Sequence, residues 1–160
     1  MSRLLRFAVF AALPLHQGCA ASRAPANATA GQDTIFREIS VDPLPPIRLG
    51  APFAAQSASR RLNDSTYQLQ PDGFGGTRQL LIHLDADGTV SGISFVYGDE
   101  ETYEAKVADY VASLGAPVAA GVQGDSIWTR WQDHSTRFEV SRVRRGGAET
   151  QRSRLWNLRP

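Results

Sequence analysis

Between Gln79 and Tyr97 the chain carries two runs whose apolar residues recur with a period of two, and this pairing constrains the fold more than any other feature. Leu80, Ile82 and Leu84 fall on one face of the first run, and Ile93, Phe95 and Tyr97 on one face of the second. Asp85-Ala86-Asp87-Gly88 joins them, with a glycine able to take positive φ. Such a pair reads as an antiparallel hairpin with one apolar face, which must be covered. Strand-like runs also occur at Thr66 to Gln70, Ser126 to Gln132, Thr136 to Val143 and Arg154 to Leu158. Asp133-His134-Ser135 supplies a tight turn and Arg145-Gly146-Gly147-Ala148 a looser one.

A helical period occupies 99–114, with Tyr103, Val107, Tyr110, Val111 and Leu114 on one face. Asp99 is suited to cap it, Glu100 and Glu101 complement the helix dipole, and Gly115 followed by Pro117 ends it. A shorter helix is expected from Pro52 to Leu62, with Pro52 in the first turn and Phe53, Ser57, Ala58 and Leu62 on one side. Each helix is followed by three strands. The expected fold is therefore α+β: a tandem helix-plus-three-stranded antiparallel meander, with two helices packed on antiparallel sheet.

Ahead of this domain, Arg3 and Arg6 precede an apolar run from Phe7 to Leu15, followed by small residues. That is the composition of an export signal, and the run is shorter than the roughly 20 residues needed to cross a bilayer. Cys19, the one cysteine, stands directly after Gly18. Leu15-His16-Gln17-Gly18-Cys19 resembles a bacterial lipobox, with Leu15 one position early, and the resemblance implies acylation of Cys19. Each buried acyl CH₂ contributes about 0.8 kcal/mol, so several chains anchor stably. Ala20 after the cysteine, by resemblance to bacterial sorting rules, points to the outer membrane, facing the periplasm. The other reading is ordinary cleavage after Ala20, using Gly18 and Ala20, which gives a soluble periplasmic or secreted protein. The expected organisation is thus a signal over 1–19, a disordered tether over 20–33 without large apolar residues, and a single α+β domain over 34–160.

With the tether, the lipobox-like end and the repeated helix-and-meander pattern, Ile47-Arg48-Leu49-Gly50 and Trp128-Thr129-Arg130-Trp131-Gln132-Asp133 carry a further resemblance. The chain resembles the small outer-membrane lipoproteins of the barrel-assembly machinery, of the SmpA/OmlA type. It is also similar to the related tandem fold of the secreted β-lactamase inhibitor proteins. Both resemblances imply binding to a protein partner without chemistry.

The residues themselves favour binding over catalysis. Removing the signal takes away Arg3 and Arg6 and leaves 15 basic against 16 acidic residues, so nucleic-acid binding is not expected. Only His83 and His134 lie in the domain, one in a strand and one at a turn, and no Gly-x-Ser-x-Gly elbow selects a serine. Asp85-x-Asp87-Gly88 departs from the EF-hand spacing and reads as a turn, and the glycine-rich 72–76 segment lacks the lysine of a phosphate-binding loop. No cofactor, metal or small-molecule substrate is expected. Two features suit a partner. Trp128 and Trp131, three apart, project from opposite faces of one strand, and Arg142, Arg144 and Arg145 lie in an arginine-rich stretch near the end of the sequence. The expectation is a lipid-anchored, non-catalytic envelope protein that binds or scaffolds a protein partner. The alternative is a secreted inhibitor or ligand-binding module.

Overall fold

The computed structural model describes residues 34–42, 44–55, 59–70, 76–98 and 102–158. The signal with Cys19, the tether, Ser57 and Ala58 of the shorter expected helix, the residues Asp99 to Glu101 and most of the 72–76 segment lie outside the described residues.

The fold is mostly β, which corrects the expected two-helix α+β arrangement. The elements are β1 (Glu38–Ile39), β2 (Ile47–Arg48), β3 (Arg60–Asn63), β4 (Thr66–Leu69), β5 (Thr77–Leu84), β6 (Val90–Tyr97), α1 (Tyr103–Leu114), β7 (Ala119–Gln123), β8 (Ser126–Gln132), β9 (Thr136–Arg145) and β10 (Ala148–Asn157). β1 and β2 form a small ribbon, and the other eight strands form one antiparallel sheet in the order β3-β4-β5-β6-β10-β9-β8-β7. Two four-stranded meanders are thus joined along β6 and β10, where Leu155 lies opposite Ile93 and Ser153 opposite Phe95.

One face of this sheet carries the core. Leu80, Ile82, Ile93, Phe138 and Leu155 have no exposed surface, and Leu69, Phe95, Val140 and Trp131 join them. Each fully buried side chain of this size contributes roughly 1.5–3 kcal/mol. α1 covers the second meander. Its N-cap is Thr102 rather than the expected Asp99: the Thr102 hydroxyl accepts a hydrogen bond from the Ala105 N–H at 3.2 Å. Gly115, at φ +80°, ends it. Tyr103, Val107, Tyr110 and Leu114 pack on the sheet, whereas Val111, expected on the same face, is exposed. The tyrosines dock by ring and by hydroxyl: Tyr110 lies edge-on to Phe138 with centroids 4.5 Å apart, and the Tyr103 hydroxyl lies 2.6 Å from that of Thr129.

The helix expected from Pro52 to Leu62 is absent among its described residues. Pro52 bridges to Thr89, Phe53 donates its N–H to the Gly88 carbonyl at 3.2 Å, and 60–63 form the edge strand β3. The physical reason is that Phe53 alone gives that segment an apolar anchor, its ring tilted against Tyr67 with centroids 5.1 Å apart, and backbone pairing with the hairpin satisfies groups a helix would have satisfied internally. The first meander is instead covered by the N-terminal segment that carries the β1–β2 ribbon, whose Ile35, Ile39, Val41, Ile47 and Leu49 are buried in the same core. Asp133 ties that segment down. Its carboxylate accepts from the N–H groups of Thr34 (3.0 Å) and Ile35 (2.9 Å), and from those of Ser135 (2.9 Å) and Thr136 (2.7 Å) in its own turn.

The last strand begins at Ala148, six residues earlier than expected, because Gly146 and Gly147 both take positive φ and close a tight two-residue turn rather than a loose one. The Asp85 turn forms as a turn: its carboxylate accepts from the N–H groups of Asp87 and Thr89, and Gly88 sits at φ +78°.

Candidate binding face

The period of two that fills the core sends the alternate residues to the other face, on which no described helix or strand packs. On β10 these are Arg152, Arg154 and Trp156; on β9, Ser141, Val143 and Arg145; on β8, Trp128 and Arg130; on β5 and β6, His83, Gly92 and Ser94. Two shallow hollows on this face are lined by strand residues only.

Two tryptophans on it lie against glycines. Gly121 pairs directly with Trp128, and a Cβ there would come within 2.8 Å of the indole. Gly92 pairs with Trp156, and a Cβ there would meet the Leu155 carbonyl at 3.2 Å and the indole at 3.4 Å. An arginine two residues away on the same strand lies over each ring: Arg130 over Trp128 at 4.6 Å and Arg154 over Trp156 at 5.8 Å. Arg130 is further fixed by Glu139 at 2.8 Å, which leaves a face of aromatic planes edged by cations.

The residues singled out from the sequence divide between the two sides. Trp131 is buried in the core and donates its indole N–H to the Gly115 carbonyl at 2.9 Å, so it locks the end of α1 and is no partner contact; Trp128 is on the open face. Arg142 and Arg144 face the helix side. Arg142 lies 3.3 Å from Glu104 and 5.8 Å from the Tyr103 ring, and Arg144 lies 3.0 Å from Glu149. Only Arg145 of the three reaches the open face, in the hollow with Ser141, Val143, Thr150 and Arg152. The expected arginine patch is therefore split, because consecutive strand residues alternate sides. Cys19 lies outside the described residues.

Arg152 and Arg154 are not among the residues the sequence singles out, since the expected last strand begins at Arg154. Their signal is the spacing Arg152-Arg154-Trp156, interleaved with Ser153 and Leu155 on the core side. His83 is half-buried between these groups, its Nε2 2.9 Å from the Ser94 hydroxyl. Desolvation, then the charges of Arg154 and Arg152, lower its pKa from the ordinary value, so it is neutral at pH 7. Arg152 is likewise drawn below its usual pKa, by burial first and by Arg154 second. Among the described residues no three His, Cys, Asp or Glu side chains come together in a way that could hold a metal ion.

Comparison with protein-family models, curated proteins and solved structures finds no match to this chain.

Proposed function

We propose that this protein is a lipid-anchored component of the bacterial cell envelope that acts by binding a partner protein, without catalysis, at the outer membrane on its periplasmic side. The observation that carries the reading is the open face of the sheet. Trp128 and Trp156 lie against glycines there and present aromatic area beside arginines, which is the composition of interface anchors. Anchorage is supported by Cys19 and the apolar run before it, and the partner's place in the envelope by the resemblance to barrel-assembly lipoproteins.

Cross-linking in living cells, followed by purification of the full chain from envelopes, tests this. The anchored wild type should capture an envelope protein, and Trp128→Ala should reduce that capture at least severalfold. Cys19→Ser should release the chain from the membrane fraction. Equal capture by wild type and Trp128→Ala would overturn the docking role of the face. A membrane fraction unchanged by Cys19→Ser would overturn the lipid anchor.

A further inference from the structure

We infer that the hollow between β5, β6 and β10 on the open face is a binding site for a phosphate-type oxyanion, held by Arg152 and Arg154. The inference rests on the reading of the open face as the binding face and makes no use of the N-terminal segment.

Arg152 and Arg154 are two residues apart on one strand, so both guanidinium groups project from the same face about 7 Å apart at their origins. Arg61, Arg130, Arg142 and Arg144 each have a carboxylate within 4 Å: Asp64, Glu139, Glu104 and Glu149 respectively. Among the described residues, neither Arg152 nor Arg154 has one. Two like charges are thus held side by side with their compensation missing, and the face that holds them is partly desolvated.

One atom makes the deficit specific. The Arg152 Nε–H is buried from solvent and has no hydrogen-bond partner. An unsatisfied buried donor costs of the order of 1–3 kcal/mol, and more on a charged group, so this N–H calls for an acceptor. An oxyanion seated between the two forks accepts from that N–H and neutralises both charges in one step.

The remaining walls fit the same ligand. Ser94 supplies a hydroxyl beside a neutral His83, and no described carboxylate lines the hollow to repel an anion. Trp156 forms a flat side wall, and Gly92 keeps the floor low. The hollow measures about 250 Å³, room for a phosphate group and a substituent. Arginine forks bind phosphate through paired N–H donors, a geometry that lysine cannot reproduce.

The test uses the full chain carrying Cys19→Ser, titrated with inorganic phosphate and followed by tryptophan fluorescence and by the NMR shifts of His83. Saturable binding is expected, with a rise in the pKa of His83 as the bound anion offsets Arg152 and Arg154. Arg154→Lys and Arg152→Gln should each weaken binding about tenfold, while Arg144→Gln, on the opposite face, should leave it unchanged. No saturation, or equal affinity in Arg154→Lys and Arg152→Gln folded to the wild-type spectrum, would overturn the site. Vesicles separate the two sources of the group. Capture by phosphatidic acid in phosphatidylcholine, but not by phosphatidylcholine alone, and competed by inorganic phosphate, assigns the site to lipid headgroups. Binding of inorganic phosphate without vesicle capture assigns it to a soluble phosphate; either result supports the site. Failure of the titration with partner capture intact would remove this inference alone, and phosphate binding without partner capture would remove the docking reading alone.

Discussion

Phe138 and Glu139 are neighbours on β9, yet Phe138 is fully buried beneath α1 and Glu139 holds Arg130 on a face that no described helix or strand covers. The contrast runs across the whole sheet. The covered face is apolar, and Ser153, with no exposed surface, accepts from the Tyr97 hydroxyl at 2.8 Å, although Gln151 Oε1 on the same side has no partner. The open face leaves the Arg152 Nε–H unpaired and keeps two arginines without carboxylates among the described residues. The same strands thus serve stability on one side and retain unfavourable charge on the other, the pattern expected where binding and not folding selects the residues.

The largest expected effect is Phe138→Ala, which opens a cavity where Tyr110, Trp131 and Phe36 converge and should cost about 3–5 kcal/mol in urea unfolding. Arg154→Gln, on the other side of the sheet, should change stability by no more than about 0.5 kcal/mol, and in the stabilising direction, because it relieves repulsion on Arg152. A loss above about 1 kcal/mol from Arg154→Gln would break the comparison.

Asp133 comes next. Removing its side chain in Asp133→Ala orphans four N–H donors that join the irregular covering segment to the β8–β9 turn, and should cost about 1–3 kcal/mol. Burial by itself would raise this carboxyl's pKa, but hydrogen bonds from Ile35, Ser135, Thr136 and Thr34 outweigh it and hold the pKa below the ordinary value. A depressed folded pKa means stability present above the unfolded carboxylate pKa and lost as pH falls through the folded one. Urea midpoints measured from pH 6 downward should therefore show an acid-side loss that Asp133→Asn lacks.

Smaller effects sharpen the account of the open face. Gly92→Ala pushes against the Leu155 carbonyl, which is backbone and cannot swing aside, and should cost about 1–2 kcal/mol. Gly121→Ala collides with the Trp128 ring, which can rotate out, so stability should change by about 1 kcal/mol or less while the indole emission shifts to the red. Equal costs for the two would mean that the rings are not what these glycines accommodate.

How far the sequence announces this fold follows from the same two faces. The hairpin of β5 and β6 is legible because Leu80, Ile82 and Leu84 and then Ile93, Phe95 and Tyr97 alternate with other residues, and β8 because of its β-branched and aromatic residues. The start of β10 is not: Glu149-Thr150-Gln151-Arg152-Ser153 has no hydrophobe, since its outer residues face the open side and its inner Ser153 is satisfied by Tyr97. β3 and β7 lie at the sheet edges, where one neighbour suffices; β3 is exposed at every position and β7 at three of five, so neither shows an alternation. The helix expected at 52–62 rests on Pro52 in its first turn and a one-sided spacing that cannot show that the backbone of 51–53 is claimed by 88–90, a contact across nearly forty residues, or that 60–63 turn back on 66–68. For the site, spacing alone separates Trp128 from Trp131. The same rule divides Arg142 and Arg144 from Arg145, and would have joined Arg152 to Arg154 had the strand been started at Ala148.

The smallest expected effect reports on how dry the open face is. His83 is lowered in pKa by burial first and by Arg154 and Arg152 next, and the groups around it are those two arginines, Ser94, Thr66 and Trp156. Above about pH 6.5 the histidine is neutral in folded and unfolded chains alike. As pH falls below that, the unfolded chain takes up a proton and the folded chain resists, so stability declines until the lower folded pKa is reached. This window lies above that of Asp133, and the two slopes can be read apart. His83→Gln keeps a polar contact for Ser94 but cannot titrate, so its urea midpoint should stay flat between pH 7 and 5.5 where that of the wild type falls. Parallel slopes in the two proteins would mean that water reaches His83 freely and that the arginine pair beside it is screened, which would weaken the contrast between the faces at the point where it matters most for binding.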